Sequence, residues 1–240
     1  MIHLKNRELM GPNSQNATAI VCAYNEKKTI AGILETLVKC NELDEIIVVN
    51  DGSTDGTSKI LGEFNVYDKL RIVELPENRG KGFAMAEGIT NAKNNLLVFI
   101  DADLTNFKIE YIQQLIQPLL EEKANMVIGQ PTENIIDYRL NPFISLAGER
   151  ALYRNDVLTL VEQMRETRFG VETLINLHYK AKNMKTLFIS LWGLTHPIKI
   201  KKYSFEKAVC EYLLAAKQIT RTMAVNYMLV VLSIRNIFLK

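Results

Sequence analysis

Short apolar runs that alternate with helix-period segments constrain this chain more than any other feature. Ala17–Ala23, Glu45–Asn50, Leu70–Leu75, Leu96–Ile100 and Met126–Gly129 read as strands. Between them lie a helical pattern through Ile30, Ile33, Leu34, Leu37 and Val38, and helices over Thr57–Phe64, Gly82–Ala92 and Ile109–Leu120. Links of a few residues leave room only for βαβ crossovers, and Leu96–Ile100 is five apolar residues with no polar break. Such strands are buried on both faces. The expected class is therefore α/β: a Rossmann-like, mostly parallel sheet with helices on both faces. With 240 residues and 48% hydrophobic content, the chain can bury one sizeable core and carry an appendage.

After Gln130 the rhythm stops. Pro131–Pro142 is polar with two prolines and reads as a loop across the active face. Ile144–Leu152 and a stretch from Asp156 read as helical, Phe169–Lys182 as a helix and Lys185–Trp192 as a strand. From Ser204 onward the apolar residues step by three and four, a helical stripe. The expected division is an N-terminal extension (1–16), a main α/β domain (17–200) and a basic, amphipathic helical tail (201–240).

The net charge of +2 excludes a broadly basic, nucleic-acid-binding chain, and no nucleic-acid partner is expected. The charge is unevenly placed. Pro197–Lys240 carries eight basic residues against Glu206 and Glu211, a local +6 that leaves −4 for the rest. Cys22, Cys40 and Cys210 are far apart and lack zinc spacing or a disulfide framework. No apolar run follows the early charges, so no signal peptide is visible. The expected location is the cytoplasm, at its membrane face if the tail binds lipid.

Four strand ends carry polar groups: Ala23-Tyr24-Asn25-Glu26, Asn50-Asp51-Gly52-Ser53-Thr54-Asp55, Glu77-Asn78-Arg79-Gly80-Lys81-Gly82 after the third strand, and Asp101-Ala102-Asp103. In open α/β sheets ligands bind just outside the carboxyl ends of the strands. Paired carboxylates there suit a hard divalent cation that also grips a diphosphate. Each residue also has a plainer reading. Asp103 would cap the next helix, Asp101 would be solvated, Glu26 and Asp55 would be helix-start acids, Gly80 and Gly82 would make a turn, and Tyr24 would pack in the core. A P-loop signature is absent.

These four motifs, in order and spacing over residues 17–105, resemble family-2 glycosyltransferases of the GT-A fold, nearest in flavour to the polyprenyl-phosphate (dolichol-phosphate) sugar transferase branch. The resemblance implies transfer of a sugar from a UDP- or GDP-sugar to an acceptor, with Mg²⁺ or Mn²⁺ on the diphosphate. It places Ala23, Tyr24 and Glu26 at the base and ribose. It also gives Asp51 to the nucleobase, with Gly52 allowing close approach, and Lys81 to the phosphates or sugar. Asp101, with Ala102 beside it, would hold ribose or metal-bound water, and Asp103 would ligate the metal. Further along, Arg150 in Ala147–Leu152 would offset diphosphate or acceptor-phosphate charge, its plainer reading being an arginine on a helix surface. Glu172 in Phe169-Gly170-Val171-Glu172 is the candidate general base, unless the acceptor is already a phosphate. His196 would complete the metal shell. A sugar nucleotidylyltransferase would need a glycine-rich, arginine-bearing N-terminal loop, which is missing. A non-catalytic nucleotide-binding or scaffold module fits poorly with both aspartates and Glu172 in place.

The tail bears on the acceptor. From Met223 to Ile234 only Asn226 and Ser233 interrupt the apolar run, bracketed by Arg221 and Arg235. A spanning helix needs about 20 apolar residues, so this one is expected to lie on a membrane surface, pack on the catalytic domain or form a homodimer seam. A lipid-phosphate acceptor is compatible with the first of these.

Overall fold

The computed structural model describes residues 16–131, 147–167, 170–195, 217 and 219–238. The elements run β1 (Ala17–Ala23), α1 (Ile30–Leu37), β2 (Leu43–Asn50), α2 (Thr57–Glu63), β3 (Leu70–Glu74), α3 (Lys81–Asn91), β4 (Leu96–Asp101), α4 (Ile109–Leu120) and β5 (Met126–Pro131). They continue with β6 (Arg150–Tyr153), α5 (Arg154–Val157), α6 (Val161–Arg165), α7 (Val171–Ala181), β7 (Thr186–Leu191) and α8 (Tyr227–Phe238).

One seven-stranded sheet has the order β3-β2-β1-β4-β6-β5-β7. All neighbours are parallel except β6, which runs antiparallel between β4 and β5. The period of two along each central strand feeds two cores. Leu96, Val98 and Ile100 face the cluster under α1 and α4, while Leu97 and Phe99 face the one under α3, α6 and α7. This is the α/β architecture expected from the alternating runs, with the sheet covered on both faces.

The helical expectation for Ile144–Leu152 is corrected where it can be seen: Arg150–Tyr153 is strand β6. Ala151 pairs with Val98 and Val127, and Leu152 with Leu97 and Met126. A four-residue strand has too little length to show its period, and two flanking strands supply the hydrogen bonds that overrule the local pattern. Pro131 itself ends β5, while Ile144 and the rest of the loop expected up to Pro142 lie outside the described residues. The stretch from Asp156 is broken into α5, a 3₁₀ turn (Leu158–Leu160) and α6.

Within the tail, residues 219–225 are helical and lead through Asn226 into α8. That helix docks on α7: Ser233 Oγ donates to the Leu177 carbonyl, and Asn236 Nδ2 to the carbonyls of Lys180 and Ala181. Among the described residues no helix is long and apolar enough to cross a membrane.

Candidate active site at the carboxyl edge of the sheet

Register brings the four motifs together. Ala23 pairs with Asn50, Asn50 with Glu74, and Cys22 with Asp101, so β1 to β4 end level and their loops emerge at one edge. The first two loops are then laced to each other. Asn25 has a left-handed backbone (φ 58°), a conformation that asparagine tolerates better than most residues. Its N–H donates to Ser53 Oγ (3.0 Å) and its Oδ1 accepts from the Thr54 N–H (2.8 Å). The Glu26 N–H donates to Thr57 Oγ1 (3.0 Å). Asp55 accepts from the Thr57 N–H (3.0 Å) at the start of α2 and from the Lys27 N–H (3.3 Å). Burial opposes its charge, but the Thr57 hydroxyl, which also donates to it (2.6 Å), and those two N–H groups win and hold its carboxyl below the ordinary range. Asp55 is thus the helix-start acid of the plainer reading, with a second role as a latch. Tyr24 is 45% exposed at the rim, which excludes the core-packing alternative.

Asp51 is almost wholly buried, and its carboxylate braces the third loop. It accepts from the N–H groups of Arg79 (2.7 Å) and Gly80 (2.8 Å) and from Asn78 Nδ2 (3.1 Å). Gly52, at φ +68°, is pressed against the backbone of Glu77 and Asn78, where a Cβ would overlap main-chain atoms. The close approach expected at Gly52 is therefore made by the protein's own loop. Arg79 stacks over the Phe83 ring at 4.0 Å, closing that loop from outside.

Lys81 is the first residue of α3, and its ammonium joins two carboxylates distant in sequence. Nζ lies 2.7 Å from Asp101 Oδ1 and 2.8 Å from Glu172 Oε1. Burial alone would push the amine down, but Asp101 and Glu172 outweigh it and hold Lys81 well above its ordinary value. Glu172 sits in the first turn of α7, nearly buried, at the end of the helix that favours an acid. Gly148 backs directly onto Asp101, so that a Cβ there would fall on the carboxylate oxygens.

Arg150 is fully buried on β6. Nη2 donates to the Ala147 carbonyl (2.6 Å) and Nη1 to Asn176 Oδ1 (3.3 Å). Burial pulls its guanidinium down, and the charges of Glu172, Asp101 and Glu149 pull it back. The helix-surface alternative is excluded. In this conformation Arg150 presents no surface to a ligand and acts on the site through charge and through the strand it anchors. Cys22 lies among Lys81, Asp101, Asp51 and Glu172, and burial pushes its thiol far above the ordinary value, which disfavours the thiolate.

Asp101 and Asp103 flank the buried Ala102 in the turn after β4, both partly exposed. The Ala102 carbonyl accepts from Thr29 Oγ1 (2.7 Å), which fastens the turn to the start of α1. Two hard carboxylates fit a divalent cation of the Mg²⁺ or Mn²⁺ kind. Among the described residues no three His, Cys, Asp or Glu side chains gather for a metal, so the remaining positions of such a shell would fall to ligand phosphates and water. His196 lies outside the described residues. The residue before it, Thr195, pairs with Thr105 (Thr105 N–H to Thr195 carbonyl, 2.9 Å), two residues past Asp103.

Each motif is visible in the sequence, but the lacing between them is not. Asn25, Thr29 and Thr57 carry no chemistry of their own, and only the asparagine, a residue tolerant of left-handed backbone, signals its position. The Lys81–Glu172 contact has no local signal.

A family model described as "Glycosyl transferase family 2" matches residues 18–196. A 4,4'-diaponeurosporenoate glycosyltransferase of Staphylococcus aureus is 29% identical over 132 residues, 54% of this chain and 35% of the relative. A dolichyl-phosphate beta-glucosyltransferase of Trichomonas vaginalis is 33% identical over 117 residues, 45% of this chain and 34% of the relative. The matched part thus spans about a third of the length of these curated relatives. A crystal structure of glucosyl-3-phosphoglycerate synthase from Mycobacterium tuberculosis, solved with Mn²⁺, UDP and phosphoglyceric acid, superposes with a TM-score of 0.67 at 21% identity, covering 87% of this chain and 77% of that one. That similarity establishes the shared fold.

Proposed function

The chain belongs to glycosyl transferase family 2, and from that premise we propose that it moves a sugar from a nucleotide-diphosphate donor, UDP- or GDP-linked, to a phosphate-bearing acceptor of the polyprenyl-phosphate kind. The observation that carries the donor half is the level ending of β1 to β4, which sets Tyr24, Glu26, Asp51, Lys81, Asp101 and Asp103 around one edge. Relatives named as glycosyltransferases of dolichyl phosphate and of 4,4'-diaponeurosporenoate support a lipid acceptor.

In this reading Tyr24, Glu26 and Asp51 form the base and ribose end of the pocket, and the Asp51 carboxylate divides its lone pairs between the donor and the loop it braces. Asp103, with Asp101, holds Mg²⁺ or Mn²⁺. When bound, the cation stabilises the charge that grows on the departing diphosphate. Lys81 keeps Asp101 and Glu172 in fixed positions, and Arg150 supplies positive charge from behind. A phosphate acceptor is already ionised, so it needs no base, and Glu172, engaged by Lys81, serves to orient that cation.

Thermal unfolding with UDP-, GDP- and dTDP-sugars, with and without Mn²⁺, tests the proposal. A ligand at a hundred times its dissociation constant stabilises a protein by about 2.7 kcal/mol. One donor class is expected to raise Tm only with the metal, and Asp103→Ala is expected to lose both that shift and turnover while keeping its fold. Full turnover by Asp103→Ala, or in excess chelator, overturns the reading.

A further inference from the structure

The docked face of the C-terminal helix is accounted for by α7, and none of the described residues covers the opposite face. Met223, Tyr227, Val231 and Ile234 step by four, four and three along one line, and Met228 lies beside them, each 40% exposed or more. Arg235 borders the apolar residues on α8, and Lys217 and Arg221 in the helical segment before Asn226 are exposed as well. None of the three is ion-paired among the described residues. From Tyr212 to Lys240 the chain contains no aspartate or glutamate.

This pattern selects the occupant. A second copy packed on the same face would bring arginine against arginine with no acid on either helix, and like charges across an interface oppose association. An apolar stripe edged by uncompensated cations matches a surface that is apolar below and anionic above. Direction matters as well. Ser233 meets Leu177 and Asn236 meets Lys180 and Ala181, so α8 runs the same way as α7. Its first residue, Tyr227, and the segment from Met223 that leads into it therefore lie toward the end of α7 that bears Glu172.

We propose that this face seats the protein on an anionic lipid bilayer, with the apolar stripe entering the headgroup–acyl boundary and the basic residues taking lipid phosphates. The end of α7 that bears Glu172 is thereby held beside the membrane surface. Such binding also deepens the lipid-acceptor part of the function proposed above, but it is measured without donor or metal and so stands or falls separately.

The test is co-sedimentation of the full chain with vesicles of phosphatidylcholine alone or mixed with phosphatidylglycerol. Wild type is expected to bind the mixed vesicles and to be released by salt. Arg221→Gln with Arg235→Gln is expected to weaken binding roughly 30-fold, about fivefold per basic side chain. Val231→Glu, on an exposed position, is expected to abolish it with an unchanged Tm. Failure of wild type to bind mixed vesicles, or equal binding by the double variant, overturns the proposal. So does a concentration-dependent dimer in sedimentation velocity that Val231→Glu dissociates, which would make the face an interface between copies.

Discussion

Nζ of Lys81 stands 2.8 Å from Oε1 of Glu172, joining the first residue of α3 to the first turn of α7 across the rim of the sheet. The same ammonium holds Asp101, so one cation sets the positions of the acid that ends β4 and the acid that opens α7.

Removing that cation leaves two partly buried carboxylates facing each other. Lys81→Met is expected to destabilise the fold by about 2 kcal/mol, below the roughly 3–5 kcal/mol for a fully buried pair that loses one partner. The pH dependence follows from the raised amine. A raised folded-state value gives stability that is complete below the ordinary lysine value and fades as pH climbs through the raised one. The gap between wild type and variant, measured by urea unfolding, is therefore expected to stay flat from neutral to mildly alkaline pH. It should narrow only in strong alkali.

Gly148→Ala probes the other side of Asp101. The added methyl falls on the carboxylate, the movable end of a short side chain, so Asp101 swings away instead of the backbone breaking. Donor turnover is expected to drop at least tenfold with a loss of about 1 kcal/mol or less in stability. A combined kinetic and thermal-unfolding measurement separates the two effects.

At Asp51, replacement by asparagine removes the charge and one of the acceptors that hold the Arg79 and Gly80 N–H groups. A cost of about 1–3 kcal/mol is expected. Amide exchange should accelerate selectively at Arg79 and Gly80, and donor KM should rise more than kcat falls.

Gly82 lets α3 lie against the chain that follows α6, because a Cβ there would meet the carbonyl oxygens of Thr167 and Met164. These are backbone atoms and yield poorly. Gly82→Ala is expected to cost about 1–3 kcal/mol by overpacking, read as a lower urea midpoint with an unchanged slope.

What the sequence determined by itself was set by local periodicity. Short, mostly apolar runs separated by helix-period segments point to a parallel sheet buried on both faces, and parallel strands that end together put their following loops on one edge. The four motifs, from Ala23 to Asp103, were therefore legible as one site before any coordinate. The tertiary structure decided what no local pattern carries. Arg150–Tyr153 became a strand because β4 and β5 supply its hydrogen bonds, and Arg150 moved from a helix surface to the interior with it. Lys81 became the clasp between Asp101 and Glu172, and Asp51 the brace of the Arg79–Gly80 loop. Those are contacts between residues far apart in the chain, created only when packing brings their elements together.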